Sequence, residues 1–224
     1  MPLLCIPGLG GDRRIFDPIL KHLAPDIRAR IRFVDLSPAR LHESLGDYSN
    51  RILRDQGFQN AKFSHVVGIS FGGMIAQEAL RSGGIQAKQA LLISTALSGS
   101  DLTMLSRICA SCLPLIPDFM HGAIVWFLAA VYPWVRFRMT EAGTFANMLR
   151  AQDPGLLFRV PAMIAQWNPE FPGKLPCAFV HVQGTRDPLI SYNRLKRTRS
   201  VDVPVAGGNH LVFVSEARLI ASLF

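Results

Sequence analysis

The chain alternates between short continuous apolar runs and longer stretches whose apolar residues recur every three or four positions. The runs predict buried strands, because a strand covered on both faces has no polar side. They fall at residues 2–7, 30–36, 62–69, 87–95, 177–184 and 201–207. The stretches with helical spacing predict helices at 12–23, about 43–55, from Phe71 to the Gly83–Gly84 pair, and 215–224. This alternation predicts an α/β fold with a mostly parallel sheet of about six strands and helices on both faces.

One region interrupts the alternation. Residues 98–172 contain no convincing strand pattern, but they contain several helix-like pieces divided by prolines, together with all three tryptophans. We interpret this region as a helical cap inserted into a single domain that spans residues 1–224, because long insertions tend to carry lids and binding surfaces. The alternative is a longer crossover that packs directly on the sheet.

Composition narrows the class of protein. The chain has 224 residues, of which 49% are hydrophobic and 18% are charged, which suits one domain with a sizeable core. Its 24 Lys+Arg against 16 Asp+Glu give a net charge of +8, so acidic partners are favoured at low salt. A nucleic-acid role is disfavoured, because the basic run at 194–200 falls in a predicted helix without the interleaved aromatic residues that stack on bases.

Cysteine usage and hydropathy bear on location. Cys109 and Cys112 form a C-x-x-C pair, but no second pair completes a zinc site, so we expect no metal and no other cofactor. Free thiols fit the cytoplasm. The longest apolar stretch, residues 122–135, is shorter than the roughly 18 residues that a spanning helix needs, so no integral membrane segment is expected. The N-terminus lacks the basic region of a secretory signal.

The pentapeptide GISFG at residues 68–72 matches the G-x-S-x-G nucleophile elbow. Ser70 would occupy a sharp turn between a strand and a helix, where side chains at Gly68 or Gly72 would collide with their surroundings. The turn exposes the serine hydroxyl at the carboxyl end of the strand. The pentapeptide recurs by chance, and its position between a predicted strand and a predicted helix is what makes it informative.

A serine hydroxyl needs a base to take its proton, and the base needs a group that orients it. His210 follows the last predicted strand in the sequence GGNH, and Asp187 follows the preceding strand in GTRD. The order Ser70, Asp187, His210 is the order expected for a nucleophile elbow on this kind of sheet. We therefore predict a catalytic triad at three adjacent strand ends.

Acyl transfer also requires donors for the oxyanion. The predicted donors are the backbone N–H of Phe71, directly after the nucleophile, and the N–H of Leu9 in the glycine-rich loop 7–12 after the first strand. The same loop does not match a phosphate-binding pattern, because Arg13 stands where G-x-G-x-x-G requires a glycine.

With these motifs, nearly the whole chain resembles an α/β-hydrolase-fold serine hydrolase of the esterase or thioesterase type. Pro7 stands where the family's oxyanion loop often has histidine. The resemblance implies a short form that lacks the usual N-terminal β-hairpin, with the strand at 30–36 as a possible exposed edge. It also makes Asp101 the reserve candidate for the triad acid, since some members supply the acid after the strand that precedes the cap.

The resemblance implies hydrolysis of a carboxylic ester or thioester through an acyl-enzyme. Haloperoxidase or C–C hydrolase chemistry uses the same triad, and a non-catalytic ligand-binding or scaffold role is the main alternative. The substrate would be a partly apolar small molecule or a group on an acyl carrier, and the sequence sets no oligomeric state. We predict substrate contacts from cap residues Trp126, Phe127, Met148 and Met163, among the wider apolar set that includes Trp134, Phe137, Phe158 and Trp167. Arginines that could attract an acidic carrier or a substrate carboxylate are Arg136, Arg138, Arg150 and Arg159.

Overall fold

The computed structural model describes residues 1–135, 142–199 and 201–224. Of the cap residues predicted above, Arg136, Phe137 and Arg138 lie outside these ranges, as does the side chain of Trp134. Six strands form one parallel sheet in the order β2-β1-β3-β4-β5-β6, which confirms the predicted fold class. Their bounds are β1 Leu3–Ile6, β2 Ile31–Phe33, β3 Ala61–Ile69, β4 Ile85–Ile93, β5 Ala178–Gly184 and β6 Val203–Val205.

The strand order places a crevice at the carboxyl edge of the sheet. The chain runs from β1 to β2 on one side and then returns to β3 on the other side of β1. At such a switch point the loops that follow the two strands diverge, and ligands of open α/β sheets bind between them. The loops after β1 and β3 are those that carry the predicted oxyanion donor Leu9 and the predicted nucleophile Ser70. β2 has three residues and pairs only with β1 among the described strands, so it is the edge that the sequence predicted.

Eleven helices accompany the strands within the described residues. Their bounds are α1 Asp17–Leu20, α2 Pro25–Ala29, α3 Leu45–Asp55, α4 Phe71–Arg81, α5 Met104–Cys112, α6 Asp118–Val135, α7 Ala142–Ala151, α8 Pro154–Gln166, α9 Tyr192–Thr198, α10 Val212–Ser215 and α11 Ala217–Ala221. α4 ends just before the Gly83–Gly84 pair, as predicted, and Gly83 has a φ of 72°. The helix predicted at 215–224 begins earlier and is divided at Glu216.

The helix predicted at 12–23 is divided into a 3₁₀ turn, Arg13–Phe16, and the single turn α1. Asp12 caps the first piece, because its carboxylate accepts the N–H of Arg14 at 2.9 Å. Pro18 suits the division: it has no N–H to donate to the carbonyl four residues earlier, and it lies in the first turn of α1, where that bond is not needed.

The sheet is covered on both faces, which is why its strands are apolar on both sides. Leu4 and Ile6 of β1 point into a core formed with α3, α4 and α8. Leu3 and Cys5 point the other way, into a core formed with α1, α10 and α11. Burying both sets of side chains makes the sheet a rigid platform for the loops at its carboxyl edge.

Between β4 and β5 the described residues form helices alone: α5 to α8 and two 3₁₀ turns, Gly99–Asp101 and Leu113–Leu115. We call residues 98–172 the helical segment. Its two ends meet, since the N–H of Gly99 donates to the carbonyl of Trp167 at 2.6 Å. A Cβ on Gly99 would lie 2.6 Å from the carbonyl oxygens of Ile164 and Ala165, so only glycine allows this approach.

Candidate active site

Ser70 lies between β3 and α4 in the strained conformation that a nucleophile elbow requires. Its φ is 52° and its ψ is −118°, a region that residues with a Cβ rarely adopt. Two hydrogen bonds hold the turn: the N–H of Ser70 donates to Ile93 O at 2.8 Å, and Thr95 Oγ1 donates to Ser70 O at 2.7 Å. The neighbouring strand β4 therefore fixes the position of the hydroxyl group.

The glycines on either side of Ser70 are required by close backbone packing. A Cβ on Gly68 would lie 2.5 Å from Gly73 Cα, and a Cβ on Gly72 would collide with the carbonyl oxygens of Ile6 and Pro7. The loop after β1 consequently lies directly against the elbow. This contact brings the backbone of Gly8 and Leu9 to the serine.

The structure brings Ser70, His210 and Asp187 together from three loops. His210 Nε2 lies 2.9 Å from Ser70 Oγ, and His210 Nδ1 lies 2.7 Å from Asp187 Oδ2. In the neutral tautomer with the proton on Nδ1, the imidazole donates to the carboxylate and accepts the serine hydroxyl proton. This is the hydrogen-bond chain in which a histidine can act as a general base.

The loops that carry Asp187 and His210 are packed on each other. The N–H of Arg186 donates to Gly208 O at 2.8 Å. A Cβ on Gly184 would collide with the carbonyl oxygens of Gly208 and Asn209. Glycine at the end of β5 therefore lets the histidine loop approach the aspartate.

Asp187 is buried, and both oxygens of its carboxylate accept hydrogen bonds. Oδ1 accepts the N–H groups of Leu189 at 2.8 Å and Ile190 at 3.1 Å, and Oδ2 accepts Gln183 Nε2 at 2.7 Å as well as His210. Burial acts to raise the pKa of Asp187, but the hydrogen bond and charge of His210 and the two N–H groups outweigh burial and lower it. The carboxylate is thus kept ionised beside the imidazole.

Asp101, the reserve candidate for the acid, has a different role in the structure. Its Oδ2 accepts the N–H groups of Leu97 at 2.9 Å and Ser98 at 3.0 Å, which caps the 3₁₀ turn at the start of the helical segment. Burial raises the pKa of Asp101, and these hydrogen bonds offset only part of that effect. The carboxylate in contact with His210 is that of Asp187.

The two predicted oxyanion donors both lie beside Ser70. Phe71 is the first residue of α4, and the first N–H groups of a helix have no intrahelical acceptor. Leu9 belongs to a turn closed by the N–H of Gly11 and Gly8 O at 3.0 Å, and no acceptor pairs with the Leu9 N–H among the described residues. Both groups are therefore able to donate to an anion that forms next to the serine.

A small apolar cavity of about 190 Å³ opens beside Ser70 and His210. It is lined by Gly8, Leu9, Gly10, Ile15, Ile69, Ser70, Phe145, Leu149, His210, Leu211 and Phe213. A second cavity of about 380 Å³ shares Ile15 and Phe145 with it, so these two side chains separate the two spaces. Phe145 packs edge-on against Phe213, with ring centroids 6.1 Å apart.

The four predicted substrate-binding residues do not line the cavity at Ser70. Trp126 and Phe127 lie on α6 with 64% and 60% of their surface exposed, and Met148 is buried beside the second cavity. Met163 lines a third cavity, of about 800 Å³, between α8 and the loop before α3. Their roles remain predictions.

The two remaining cap arginines are also placed. Arg159 lies at the rim of the third cavity, where its guanidinium pairs with Asp118 at 3.1 Å. Arg150 is exposed at the end of α7.

Sequence reasoning missed Phe145, Leu149 and Gln183. The first two are four residues apart on α7, so helical spacing could have shown that they share a face, but nothing in the sequence shows that this face meets Ser70. Gln183 lies inside β5, where a polar residue in an apolar run was the available signal.

Comparison with known proteins supports the same fold. A family model described as "Alpha/beta hydrolase family" matches residues 3–223. No curated protein matches the chain. An esterase from Thermogutta terrifontis superposes with a TM-score of 0.68 at 13% identity, over 100% of this chain and 87% of its own. A putative aryl esterase from Burkholderia cenocepacia gives 0.66 at 18% identity, over 99% and 89%. An esterase from Exiguobacterium antarcticum gives 0.69 at 11% identity, over 100% and 90%.

Proposed function

Because this chain belongs to the alpha/beta hydrolase family, we propose that it is a serine hydrolase that cleaves carboxylic esters or thioesters. The observation that carries the proposal is the hydrogen-bond chain from Ser70 Oγ through His210 to Asp187, with lengths of 2.9 and 2.7 Å. The esterases among its structural neighbours support the same reaction class, and no cofactor is required for it.

The first step is acylation of Ser70. His210 Nε2 takes the hydroxyl proton as Oγ attacks the carbonyl carbon, and the protonated imidazole then gives that proton to the leaving alcohol or thiol. Asp187 holds the imidazole in the required tautomer and stabilises its positive charge while it carries two protons. The low pKa of Asp187 suits this role, because a carboxyl group that took up the proton would lose its charge.

The N–H groups of Leu9 and Phe71 stabilise the oxyanion of the tetrahedral intermediate. Each such donor contributes about 3 kcal/mol to lowering the barrier in enzymes that use them. Deacylation repeats the sequence with water in place of the serine hydroxyl: His210 takes a proton from water, water attacks the acyl carbon, and Ser70 leaves with the proton returned from the imidazole. The products are a carboxylic acid and an alcohol or thiol.

The cavity at Ser70 favours a substrate with a small apolar group next to the scissile bond. Its volume of about 190 Å³ holds only a short chain, and most of its lining side chains are apolar. A small-molecule ester fits this cavity, and the acyl group of a carrier protein has the same chemistry at the reacting carbon.

The test is hydrolysis of p-nitrophenyl butanoate by the protein and by Ser70→Ala. We expect kcat to fall by roughly 10⁶-fold, because the variant has no nucleophile. Ser94→Ala is the matched control: Ser94 directly follows β4, is buried and also has a positive φ, of 47°, so it repeats the substitution at a strained serine without touching His210.

A fluorophosphonate probe gives a second readout. It should label the protein and Ser94→Ala with one group per chain and leave Ser70→Ala unlabelled. Turnover or labelling retained in folded Ser70→Ala would contradict the proposed function, and so would a folded wild-type protein that is neither active nor labelled.

A further inference from the structure

The large exposed apolar side chains of this protein are concentrated in one part of the helical segment. Of fourteen that are described, nine lie between residues 104 and 128, on α5, the following 3₁₀ turn and α6. We call them the apolar surface: Met104, Leu105, Ile108, Leu115, Phe119, Met120, Trp126, Phe127 and Leu128. Phe119 is 86% exposed and Leu115 is 80% exposed. Single exposed apolar residues are ordinary, but nine of them within residues 104–128 indicate a binding surface.

α6 is apolar on both of its faces. His121, Val125 and Ala129 recur every four residues and are buried, which makes them the inward face, where His121 stacks on Phe158 of α8 with ring centroids 3.9 Å apart. Phe119, Trp126 and their neighbours form the outward face, which a surface helix would normally fill with charged residues. No helix of the described residues is long and apolar enough to cross a membrane. The outward face is therefore suited to lying on a partner and not to crossing a bilayer.

Charge decides what kind of partner fits. Residues 104–128 contain one basic and one acidic side chain, Arg107 and Asp118, so the net charge of +8 belongs to the rest of the chain. Asp118 is already paired with Arg159 at 3.1 Å. A second copy of the chain would bring +8 against +8, whereas an anionic lipid surface attracts the molecule and leaves an uncharged apolar patch to enter the headgroup region.

We propose that the apolar surface binds an anionic lipid bilayer, and that the enzyme takes ester substrates dissolved in that bilayer. The claim about ester substrates rests on the proposed function. It also rests on the position of the apolar surface, because α6 packs on α7, and α7 supplies Phe145 and Leu149 to the cavity at Ser70. One helix, α7, thus contacts both the helix that carries most of the apolar surface and the cavity at Ser70.

The test measures binding to vesicles of phosphatidylcholine with 30% phosphatidylglycerol by co-sedimentation, for the protein and two double variants. Leu115→Glu/Phe119→Glu places charge on the apolar surface. Leu41→Glu/Leu219→Glu is the control, because it changes two exposed leucines elsewhere and lowers the net charge equally, from +8 to +6. We expect the first variant to bind at least tenfold more weakly than the control, since two large apolar side chains no longer enter the lipid.

Absence of vesicle binding by the wild-type protein would overturn the proposal, as would equal binding by the two variants. Dimerisation in light scattering that Leu115→Glu/Phe119→Glu abolishes would also overturn it, in favour of a second copy. Ser70→Ala should bind vesicles as the wild type does, so binding is judged separately from catalysis.

The substrate claim has its own test. Hydrolysis of a vesicle-dissolved long-chain ester should fall in Leu115→Glu/Phe119→Glu, while hydrolysis of p-nitrophenyl butanoate stays within twofold of the control. Equal loss on both esters would contradict delivery from the lipid and leave the proposed function standing.

Discussion

The strand ends and the helical segment differ in how their side chains are held. At the strand ends, Ser70, Asp187 and His210 lie on loops that follow strands of the sheet, and backbone hydrogen bonds connect neighbouring loops. In the described part of the helical segment, many large apolar side chains are exposed, and Phe145 and Leu149 supply apolar surface to the cavity at Ser70. The proposed reacting groups therefore come from the strand ends alone, whereas the cavity around Ser70 is formed by both regions, with the helical segment adding one part of its apolar wall. Substitutions in the two regions should therefore have different consequences.

After the loss of Ser70 itself, the largest effect is expected at the acid. Asp187→Asn should lower kcat for p-nitrophenyl butanoate by about 10⁴-fold, because an amide no longer holds His210 in the tautomer that accepts the serine proton. KM should change little, since Asp187 does not line the cavity at Ser70. Steady-state kinetics measures both parameters.

Asp101→Asn is the matched control, because Asp101 is also buried but contacts the N–H groups of Leu97 and Ser98 in place of His210. It should keep kcat within a few-fold of the wild type. A loss in folded Asp101→Asn as large as that in Asp187→Asn would mean that the reacting groups are not confined to the three strand ends.

A smaller effect, of another kind, is expected in the helical segment. Phe145→Ala should join the cavities of about 190 and 380 Å³ that Phe145 and Ile15 separate. We expect the ratio of kcat/KM for p-nitrophenyl octanoate over butanoate to rise about tenfold, because a longer apolar chain gains buried surface. The ratio should not change in Met163→Ala, where a methionine of another cavity is shortened. A fall of both rates in Phe145→Ala, with an unchanged ratio, would show that this wall positions the reacting groups.

The smallest effect concerns stability against pH. The pKa of Asp187 is lower in the folded state than in the unfolded state, so its contribution to the free energy of unfolding is present above about pH 4 and is lost on acidification. The pKa of Asp101 is raised, so its ionised carboxyl group lowers the free energy of unfolding at pH 7, and this penalty disappears on acidification. Urea unfolding between pH 7 and 3 should therefore show a shallower loss of stability in Asp187→Asn than in the wild type, and a steeper loss in Asp101→Asn. Identical slopes in the three proteins would contradict the assignment of these carboxyl groups.

The sheet and the positions of Ser70, Asp187 and His210 were predictable because local signals determine them. Continuous apolar runs mark strands that are buried on both faces, and glycines at 68, 72 and 184 mark the places where backbones touch. In a parallel sheet all carboxyl ends lie at one edge, so residues far apart in sequence are brought together by topology alone.

The cavity walls were not predictable, because packing between helices determines them and no local sequence signal does. Trp126 and Phe145 are both aromatic residues on apolar helices, and only the packing of α6 and α7 exposes one and brings the other to Ser70. The division of the helix predicted at 12–23 also depended on a single residue, Pro18, against an otherwise helical spacing of apolar positions.

The hydrogen bond between Gly99 and Trp167 has a consequence for how this protein can vary. Because the helical segment starts and finishes at one point, its length places no demand on the pairing of β4 with β5. A replacement with more or fewer helices leaves the spacing of the three strand ends unchanged. We therefore expect chimeras that join a different helical insert at these two residues to keep the sheet and the positions of Ser70, Asp187 and His210 unchanged.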